Sequence, residues 1–188
     1  MWAYVKDGSI VQVNTSQTRL TIRGTEFPAK YANEWTVQQK KDYGVYEVVQ
    51  DNTNLKDGAY YTNGSSTYTF ADDMVTLTYA AATAKELDDV TVDGITTDGL
   101  KTTHKATIKS QAHSSLSNTD WYASRKAETD KGIPSDVLTY RAAVRTKESD
   151  MKTHIDNAAD VDALAALYVY NDDDPRTRPL GEWPESVS

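Results

Sequence analysis

The spacing of apolar residues changes about halfway along the chain. Up to about residue 92, apolar and polar residues alternate in short runs, as with Leu20 and Ile22 in TRLTIR. A period of two is typical of half-buried strands. From about residue 104, apolar residues recur at every fourth position, as with Ile108, Ala112 and Leu116, which is typical of one helix face. The pattern predicts an α+β fold, in which a small antiparallel β domain precedes a C-terminal helical hairpin or bundle.

Turn-forming residues locate hairpins within the β domain. Asp7-Gly8 separates two short β-prone runs, and Asn63-Gly64 separates two more. Such pairs favour two-residue hairpin turns because both residues accept a positive φ at little cost. Asp72-Asp73 predicts a further turn, into the run MVTLTY.

The stretch DDVTVDGITTDGLKTT, residues 88–103, has few apolar residues that could anchor it in a core. Its Asp, Thr and Gly content favours a linker or an extended arm. The chain therefore divides into a β domain at 1–92, a linker at 93–103, a helical domain at 104–170 and an extended C-terminal tail at 171–188.

Residues 116–145 predict two helices joined by a short turn. Ser117 precedes Asp120 by three residues, which resembles a capping box at the start of the first helix. Gly132 and Pro134 predict the turn, because proline stops helical read-through. Ser135 is the expected cap of the second helix.

The second helix carries its apolar residues at steps of three, four, seven and four, which is close to a heptad. Such a stripe fits packing against other helices of the same chain, or a short bundle of several chains around a symmetry axis. The residues of this seam are Val137, Tyr140, Val144, Met151 and Ile155.

Residues after the long helix predict one more helix and then a tail. Asp160 is placed to cap a short helix at 161–168. The tail has three prolines and little periodicity, and Trp183 is its largest apolar side chain. One large aromatic can carry much of a contact, so Trp183 is expected to dock on a neighbouring subunit or to fold back on its own domain.

Composition favours contact surface over deep core. Only 38% of residues are hydrophobic, and 12 Tyr and 4 Trp dominate the aromatic residues, whose polar tips suit half-buried faces. The net charge is −8 and the basic residues are scattered, which argues against nucleic acid as a partner. The chain has no cysteine, and no apolar run approaches the length of a membrane span.

Motifs for catalysis or metal binding are not present in the sequence. The histidines His104, His113 and His154 form no HExxH or HxH pair. Neither a phosphate-binding loop nor a GxSxG elbow occurs. We therefore expect no metal, no cofactor and no enzymatic activity.

Three arginines of the helical part have two possible roles. Arg125, Arg141 and Arg145 could form ion pairs with acidic residues of the same helices, or they could bind a partner. The acidic candidates are Asp120, Glu128 and Asp136.

The stretch TDWYASRKAETDKGIPSDVLTYRAAVR, residues 119–145, resembles the C-terminal segment of small tail proteins of tailed bacteriophages. The shared features are Thr-Asp-Trp-Tyr, an Arg and Glu pair, Ile-Pro, Tyr-Arg and a second Arg. MWAYVKDGSIV and YGVYEVV resemble the openings of tail-fibre-associated and tail-fibre-assembly proteins. The resemblance covers residues 1–13, 43–49 and 116–145, which is less than half of the chain, and it brings no catalytic residues.

The resemblance implies a non-enzymatic structural protein of a phage tail, at the attachment of a fibre or baseplate. It would be made in the host bacterial cytoplasm, lie in the virion tail, and contact other phage tail or fibre proteins or further copies of itself. An alternative is a tail-fibre assembly chaperone that is absent from the mature virion. The residues expected to bind a partner are Trp121, Tyr122, Arg125, Tyr140, Arg141, Val144, Met151 and Trp183.

A third hypothesis, from another class, is a module that binds host surface glycans. Aromatic rings stack on sugar faces, and four aromatic residues of the β domain are candidates. They are Trp35, Tyr60, Tyr61 and Tyr68.

Overall fold

The computed structural model describes residues 1–14, 19–28 and 34–187, which form two compact units, Met1–Thr83 and Ala84–Ser188. The first unit is built mainly of strands and the second mainly of helices. The predicted α+β class is therefore confirmed. The boundary between the units falls at Thr83, earlier in the chain than the predicted residue 92.

The largest part of the first unit is a five-stranded sheet. The elements are β1 (Trp2–Lys6), β2 (Ser9–Asn14), β3 (Leu20–Ile22), β4 (Thr25–Phe27), α1 (Val37–Asp42), β5 (Val45–Asp51), β6 (Tyr61–Thr62), β7 (Ser66–Ala71), β8 (Met74–Tyr79) and β9 (Thr83–Ala84). The strand order of the sheet is β2-β1-β5-β8-β7. β5 and β8 are parallel and the other neighbours are antiparallel, so the sheet is mixed and not purely antiparallel.

Aspartate-containing turns join the hairpins of this sheet. Asp7 and Gly8 have φ of 51° and 76° between β1 and β2, as the sequence predicts. Asp72 and Asp73 have φ of 51° and 58° between β7 and β8. These angles belong to the type I′ turn, whose twist matches the flanking strands. Arg23-Gly24 similarly joins β3 to β4; Thr18, the first residue of the strand predicted there, lies outside the described residues.

The hairpin predicted at Asn63-Gly64 is wrong. β6 pairs with β9 and not with β7. The Asn63 side chain bonds both the N–H and the carbonyl of Lys56, each at 2.8 Å, so it closes the preceding loop. A Cβ on Gly64 would lie 2.8 Å from Ala80, so glycine there allows a close approach of two segments.

The first unit has a small core on each face of its sheet. One face buries Ala3, Val5, Val48, Val75 and Leu77. On the opposite face Trp2, Phe27 and Trp35 pack around a second cluster, Tyr4, Ile22 and Val45. Alternation along β1 assigns its neighbouring residues to these two faces.

The second unit begins with a small hairpin and continues with four helices. The elements are β10 (Val90–Val92), β11 (Ile95–Thr97), α2 (Leu100–Ser117), α3 (Asp120–Thr129), α4 (Ser135–Asp156) and α5 (Val161–Ala166). The segment 93–103, predicted as a linker, instead contains β11 and the first turn of α2. Asp93 and Gly94, with φ of 51° and 77°, form a tight turn between β10 and β11.

Helix starts differ from the predicted caps at two of three places. Ser117 ends α2 instead of opening a helix, and its hydroxyl donates to the Ser114 carbonyl at 2.8 Å. Ser135 is the first residue of α4 and follows Pro134, which occupies the cap position. Asp130, with φ of 56°, ends α3, and the predicted turn at Gly132 and Pro134 lies between α3 and α4. The cap of α5 is confirmed, because Asp160 accepts a hydrogen bond from the Ala163 N–H at 2.7 Å.

The seam of α4 is buried within its own unit. Its five side chains, from Val137 to Ile155, are at most 7% exposed. Ile108 and Ala112 on the facing side of α2 are each 2% exposed. Of the two alternatives for this stripe, the structure has packing within the chain.

The C-terminal tail follows a defined path along the second unit. Leu180 is 1% exposed, and its N–H donates to the Leu167 carbonyl at 3.0 Å. Arg178 pairs with Glu182 at 2.9 Å and stacks on Tyr170, with its guanidinium carbon 5.2 Å from the ring centroid. Gly181 has a φ of 81°, and a Cβ there would collide with the Lys147 side chain. The tail is therefore held at several points.

We expect Met151→Ala to destabilise the second unit. Met151 is fully buried, and truncating a buried Met to Ala costs about 2–5 kcal/mol through lost burial and a residual cavity. Urea denaturation followed by circular dichroism at the helical band would measure this loss. Leu138→Ala on the same helix is the control, because Leu138 is 51% exposed and should change stability by less than about 0.5 kcal/mol. Equal losses in the two variants would contradict the burial of this seam.

Candidate partner-binding surface

Trp121, Tyr122 and Arg125 form an exposed stack near the start of α3, which we call the aromatic corner. The two ring centroids are 3.9 Å apart. The guanidinium carbon of Arg125 lies 4.7 Å from the Trp121 centroid and 4.9 Å from the Tyr122 centroid. Arg125 is four residues from Trp121 and three from Tyr122, so α3 itself brings the arginine against both rings. Trp121 remains 51% exposed, so one large ring is presented to solvent.

Arg125 carries its charge without a carboxylate partner among the described residues. One terminal nitrogen donates to the Gly132 carbonyl at 3.3 Å, and Nε is buried without a hydrogen bond. The two rings and this carbonyl hold the guanidinium in one place. A planar guanidinium held in this way can donate two parallel hydrogen bonds to a carboxylate.

Arg141 of α4 binds the end of α2 and the start of α3. Its Nη1 donates to the Leu116 carbonyl at 3.1 Å and to the Thr119 hydroxyl at 2.6 Å, and the same nitrogen forms an ion pair with the Asp120 carboxylate at 2.9 Å. Its side chain is only 12% exposed, and Thr119 is buried. Asp120 was one of three carboxylates that the sequence offered to this arginine. The interaction fixes the direction in which α3 leaves α2, and so it positions the aromatic corner.

Three of the predicted partner-binding residues lie inside the second unit. Val144 and Met151 are fully buried, and Tyr140 is 7% exposed. The Tyr140 hydroxyl donates to the Ser115 carbonyl at 3.0 Å, which ties α4 to the last turn of α2. A partner can reach these side chains only if the helices separate, so in this structure they support the surface and do not form it.

Trp183 folds back on its own unit, which is the second of its two predicted alternatives. The ring packs, together with Val187, against the cluster of Ala112, Tyr140 and Val144. Its Nε1 donates to the Gln111 side chain at 3.2 Å. The tail thereby covers part of the groove between α2 and α4.

The first unit contains a cavity of about 180 Å³ that the sequence did not reveal. The Lys40 ammonium lies 3.8 Å from the Trp2 ring centroid at its edge. Its residues come from β1, α1, β5 and the β7–β8 turn, so only the tertiary fold brings them together. They are Trp2, Val37, Lys40, Lys41, Val45, Tyr46, Glu47, Val49, Asp73 and Met74.

Three polar groups interact at the wall of this cavity. The Lys41 ammonium donates to Asp73, and the Tyr46 hydroxyl also bonds that carboxylate. Hydrogen bonds from Lys41 and then from Tyr46 hold the pKa of Asp73 below its usual value. Burial, followed by the nearby Asp73, raises the pKa of Tyr46 above its usual value. The charges of Lys41 and Asp73 are thus mutually satisfied.

The aromatic residues considered for glycan binding do not share one surface. Trp35 stacks on Tyr43, with ring centroids 4.8 Å apart, and belongs to one face of the sheet. Tyr68 packs against the cluster on the opposite face, and its hydroxyl lies 3.5 Å from the Met1 sulfur. Neither ring lines the cavity described above.

His104 lies in a half-buried contact between α2 and the end of α5. Its Nδ1 is 2.7 Å from the Tyr168 hydroxyl oxygen, and the ring centroids are 4.9 Å apart. Burial lowers the pKa of His104 below its ordinary value of 6.5, because the charged imidazolium is desolvated there.

Comparisons with known proteins give no relative for this chain. No protein-family model, no curated protein and no solved structure matches it. Within the described ranges, no group of three or more His, Cys, Asp or Glu side chains is placed to hold a metal ion. Across the same residues, no helix combines the length and apolar character needed to cross a bilayer.

Replacing Arg141 by Met should destabilise the second unit by about 1–3 kcal/mol, because it leaves the buried Thr119 and the Leu116 carbonyl without this donor. Arg145→Met, one turn further along α4, is the matched control because Arg145 is exposed. Chemical denaturation of both variants checks the difference. If the two variants lost the same stability, Arg141 would not be the joint between the helices.

The stability of the second unit should fall as the pH is lowered through about 6.5. The folded-state pKa of His104 is depressed, so between the two pKa values the unfolded chain binds more protons than the folded one. The free energy of unfolding therefore rises with pH across this window, and the contribution of His104 to stability is lost below it. Urea titrations at pH 7.5 and 5.5 measure the slope, which His104→Gln should reduce. His113→Gln, at an exposed histidine of the same helix, should retain the slope.

Proposed function

We propose that this chain is a non-enzymatic structural component of a bacteriophage tail, at the attachment of a fibre or baseplate. It acts through contacts with other phage tail proteins. The observation that carries the proposal is that residues 119–145, the segment that resembles phage tail proteins, form the aromatic corner and the support beneath it.

The residues of this segment divide into two groups by their role in the fold. Asp120 and Arg141 contact each other inside the segment and set the angle between helices. Trp121, Tyr122 and Arg125 lie at the surface as a single stack. A segment with an internal joint and an outward aromatic stack is suited to presenting a fixed contact to another protein.

The composition of the aromatic corner favours a protein partner. Trp, Tyr and Arg are the residues most enriched among those that dominate binding energy at protein interfaces. Their positions are already fixed by α3 and by the Arg141 contacts, so little side-chain freedom is lost on binding. The guanidinium of Arg125 fits a partner carboxylate next to an apolar side chain that covers Trp121.

Mass spectrometry of purified particles tests the proposal. The phage that encodes this chain should contain it in stoichiometric amounts with other tail proteins. A Trp121→Ala, Arg125→Ala variant should be incorporated at least fivefold less, whereas Leu138→Ala should be incorporated normally. The variants should match the wild type in thermal unfolding, which excludes a folding defect.

Two results would contradict the proposal. If the chain co-purifies with an immature fibre but is missing from particles, it is the assembly chaperone considered as the alternative. If it is found with neither, the phage-tail assignment is wrong. If the double variant is incorporated normally, the chain is still a tail protein, but the aromatic corner is not the surface by which it attaches.

A further inference from the structure

The hairpin of β10 and β11 presents an uncovered apolar face. The pairs Val92–Ile95 and Val90–Thr97 place these four side chains on one face. Thr91 and Thr96 lie on the other face, where their hydroxyl oxygens are 2.8 Å apart. All six strand residues are exposed. One face of this hairpin is therefore apolar and in water, and the other is polar and internally bonded.

The exposure of this face is large for a folded chain. Ile95 is 73% exposed, which is the highest value of any large apolar side chain among the described residues, and Val92 is 62% exposed. The hairpin forms a two-stranded sheet of its own, so among the described strands none lies beside either of its outer edges. Two-stranded hairpins are marginal in water, and a third strand or a covering surface stabilises them.

The hairpin is nevertheless fixed firmly at its base. The Leu100 and Lys101 N–H groups donate to the carbonyls of Glu86 and Leu87, at 2.9 and 3.0 Å. Asp89 accepts from the Gly99 N–H at 2.8 Å. These bonds join the segment before β10 to the first turn of α2, which closely follows β11 in the chain, so the two ends of the hairpin are held together. The apolar face therefore has a fixed orientation relative to α2.

The charges within the hairpin segment itself are of one sign, and Lys85 and Lys101 flank it in the sequence. Residues 86–98 contain no Lys or Arg and five acidic residues. Only Asp88 forms a described ion pair, with Lys101 at 3.2 Å. Like charges repel, so a second copy of the same hairpin is a poor match for this surface. Lys or Arg at the ends of a partner strand would lie near Asp93 at the turn and Asp98 at the base.

We infer that the β10–β11 hairpin is a docking site for an extended segment of a partner protein that carries apolar residues at alternate positions and Lys or Arg at its ends. The segment adds as a third strand at a free edge and extends the apolar face of Val90, Val92 and Ile95. Main-chain hydrogen bonds give affinity in this mode, and alternate side chains give specificity. This inference rests on the proposed function for the kind of partner, another tail protein, and adds its chemistry.

Fluorescence anisotropy with labelled peptides tests the docking site on the full chain. The probe is the peptide Lys-Lys-Val-Thr-Val-Lys-Lys, and the controls are Glu-Glu-Val-Thr-Val-Glu-Glu and Lys-Lys-Ser-Thr-Ser-Lys-Lys. The probe should bind at least tenfold more tightly than either control. Such a difference would show that the site requires both apolar and basic residues. If charge attraction alone were enough, Lys-Lys-Ser-Thr-Ser-Lys-Lys would bind as tightly as the probe.

Substitutions in the hairpin locate the binding. Val92→Thr with Ile95→Thr keeps β-branched side chains and removes apolar surface, so it should weaken the probe at least fivefold. Val11→Thr on β2 is the matched control, because Val11 is 60% exposed on a strand of the other unit. Asp93→Asn with Asp98→Asn should weaken the probe and reduce the salt dependence of binding.

Amide hydrogen exchange gives a second readout. Residues 90–97 should exchange rapidly in the free chain and at least tenfold more slowly with the probe bound, because a third strand protects one edge. Protection elsewhere without protection of this hairpin would overturn the inference, and so would equal binding of the three peptides. An absence of probe binding would overturn it as well.

A second copy as the occupant gives a distinct result. Sedimentation would then show a dimer that Val92→Thr with Ile95→Thr abolishes, and this outcome would replace the basic partner. Failure of the peptide test leaves the particle experiment unaffected. Absence of the chain from particles removes the tail assignment and does not change the peptide result, so the two failures are distinguishable.

Discussion

The guanidinium of Arg141 is the contact on which the helical unit depends most. It is nearly buried, and its acceptors belong to the last residues of α2 and the first of α3. A buried cation is stable only when its donors are satisfied, so this residue specifies one placement of the end of α2 and the start of α3 relative to α4. That placement sets the position of the aromatic corner. The apolar seam of α4 supplies most of the burial, but a stripe of aliphatic side chains would tolerate several helix angles.

The two units bury their apolar residues in different ways, although the chain as a whole is polar in composition. In the first, apolar residues on both faces of one sheet form two small clusters, with a few aromatic rings around each. In the second, the long helix α4 buries a stripe of five apolar residues, and α2 and the tail pack against part of that stripe. Both units have small cores. Turns, helix caps and side-chain contacts to backbone carbonyls therefore also help to specify the fold.

Much of the local structure could be predicted from the sequence, whereas long-range pairing could not. Periods of two and four, the Asp7-Gly8 turn and the Asp160 cap depend on neighbours in sequence. The parallel pairing of β5 with β8 depends on a return of the chain across intervening residues, which no local pattern encodes. The Asp, Thr and Gly content of residues 88–103 favours a linker or an extended arm, and only the coordinates show that β10 and β11 pair there. The separation of Arg141 from the surface arginine Arg125 likewise needed coordinates.

The turns of this chain link its acidity to its backbone geometry. Among the described non-glycine residues with positive φ, all but Arg23 are aspartates, namely Asp7, Asp72, Asp73, Asp93 and Asp130. Aspartate and asparagine are the side chains that tolerate this left-handed region best. Part of the net charge of −8 is therefore a by-product of how the strands reverse direction and α3 ends. Neutralisation of these five positions would disturb the backbone least with asparagine or glycine, whereas a β-branched residue would strain the backbone as well as change the charge.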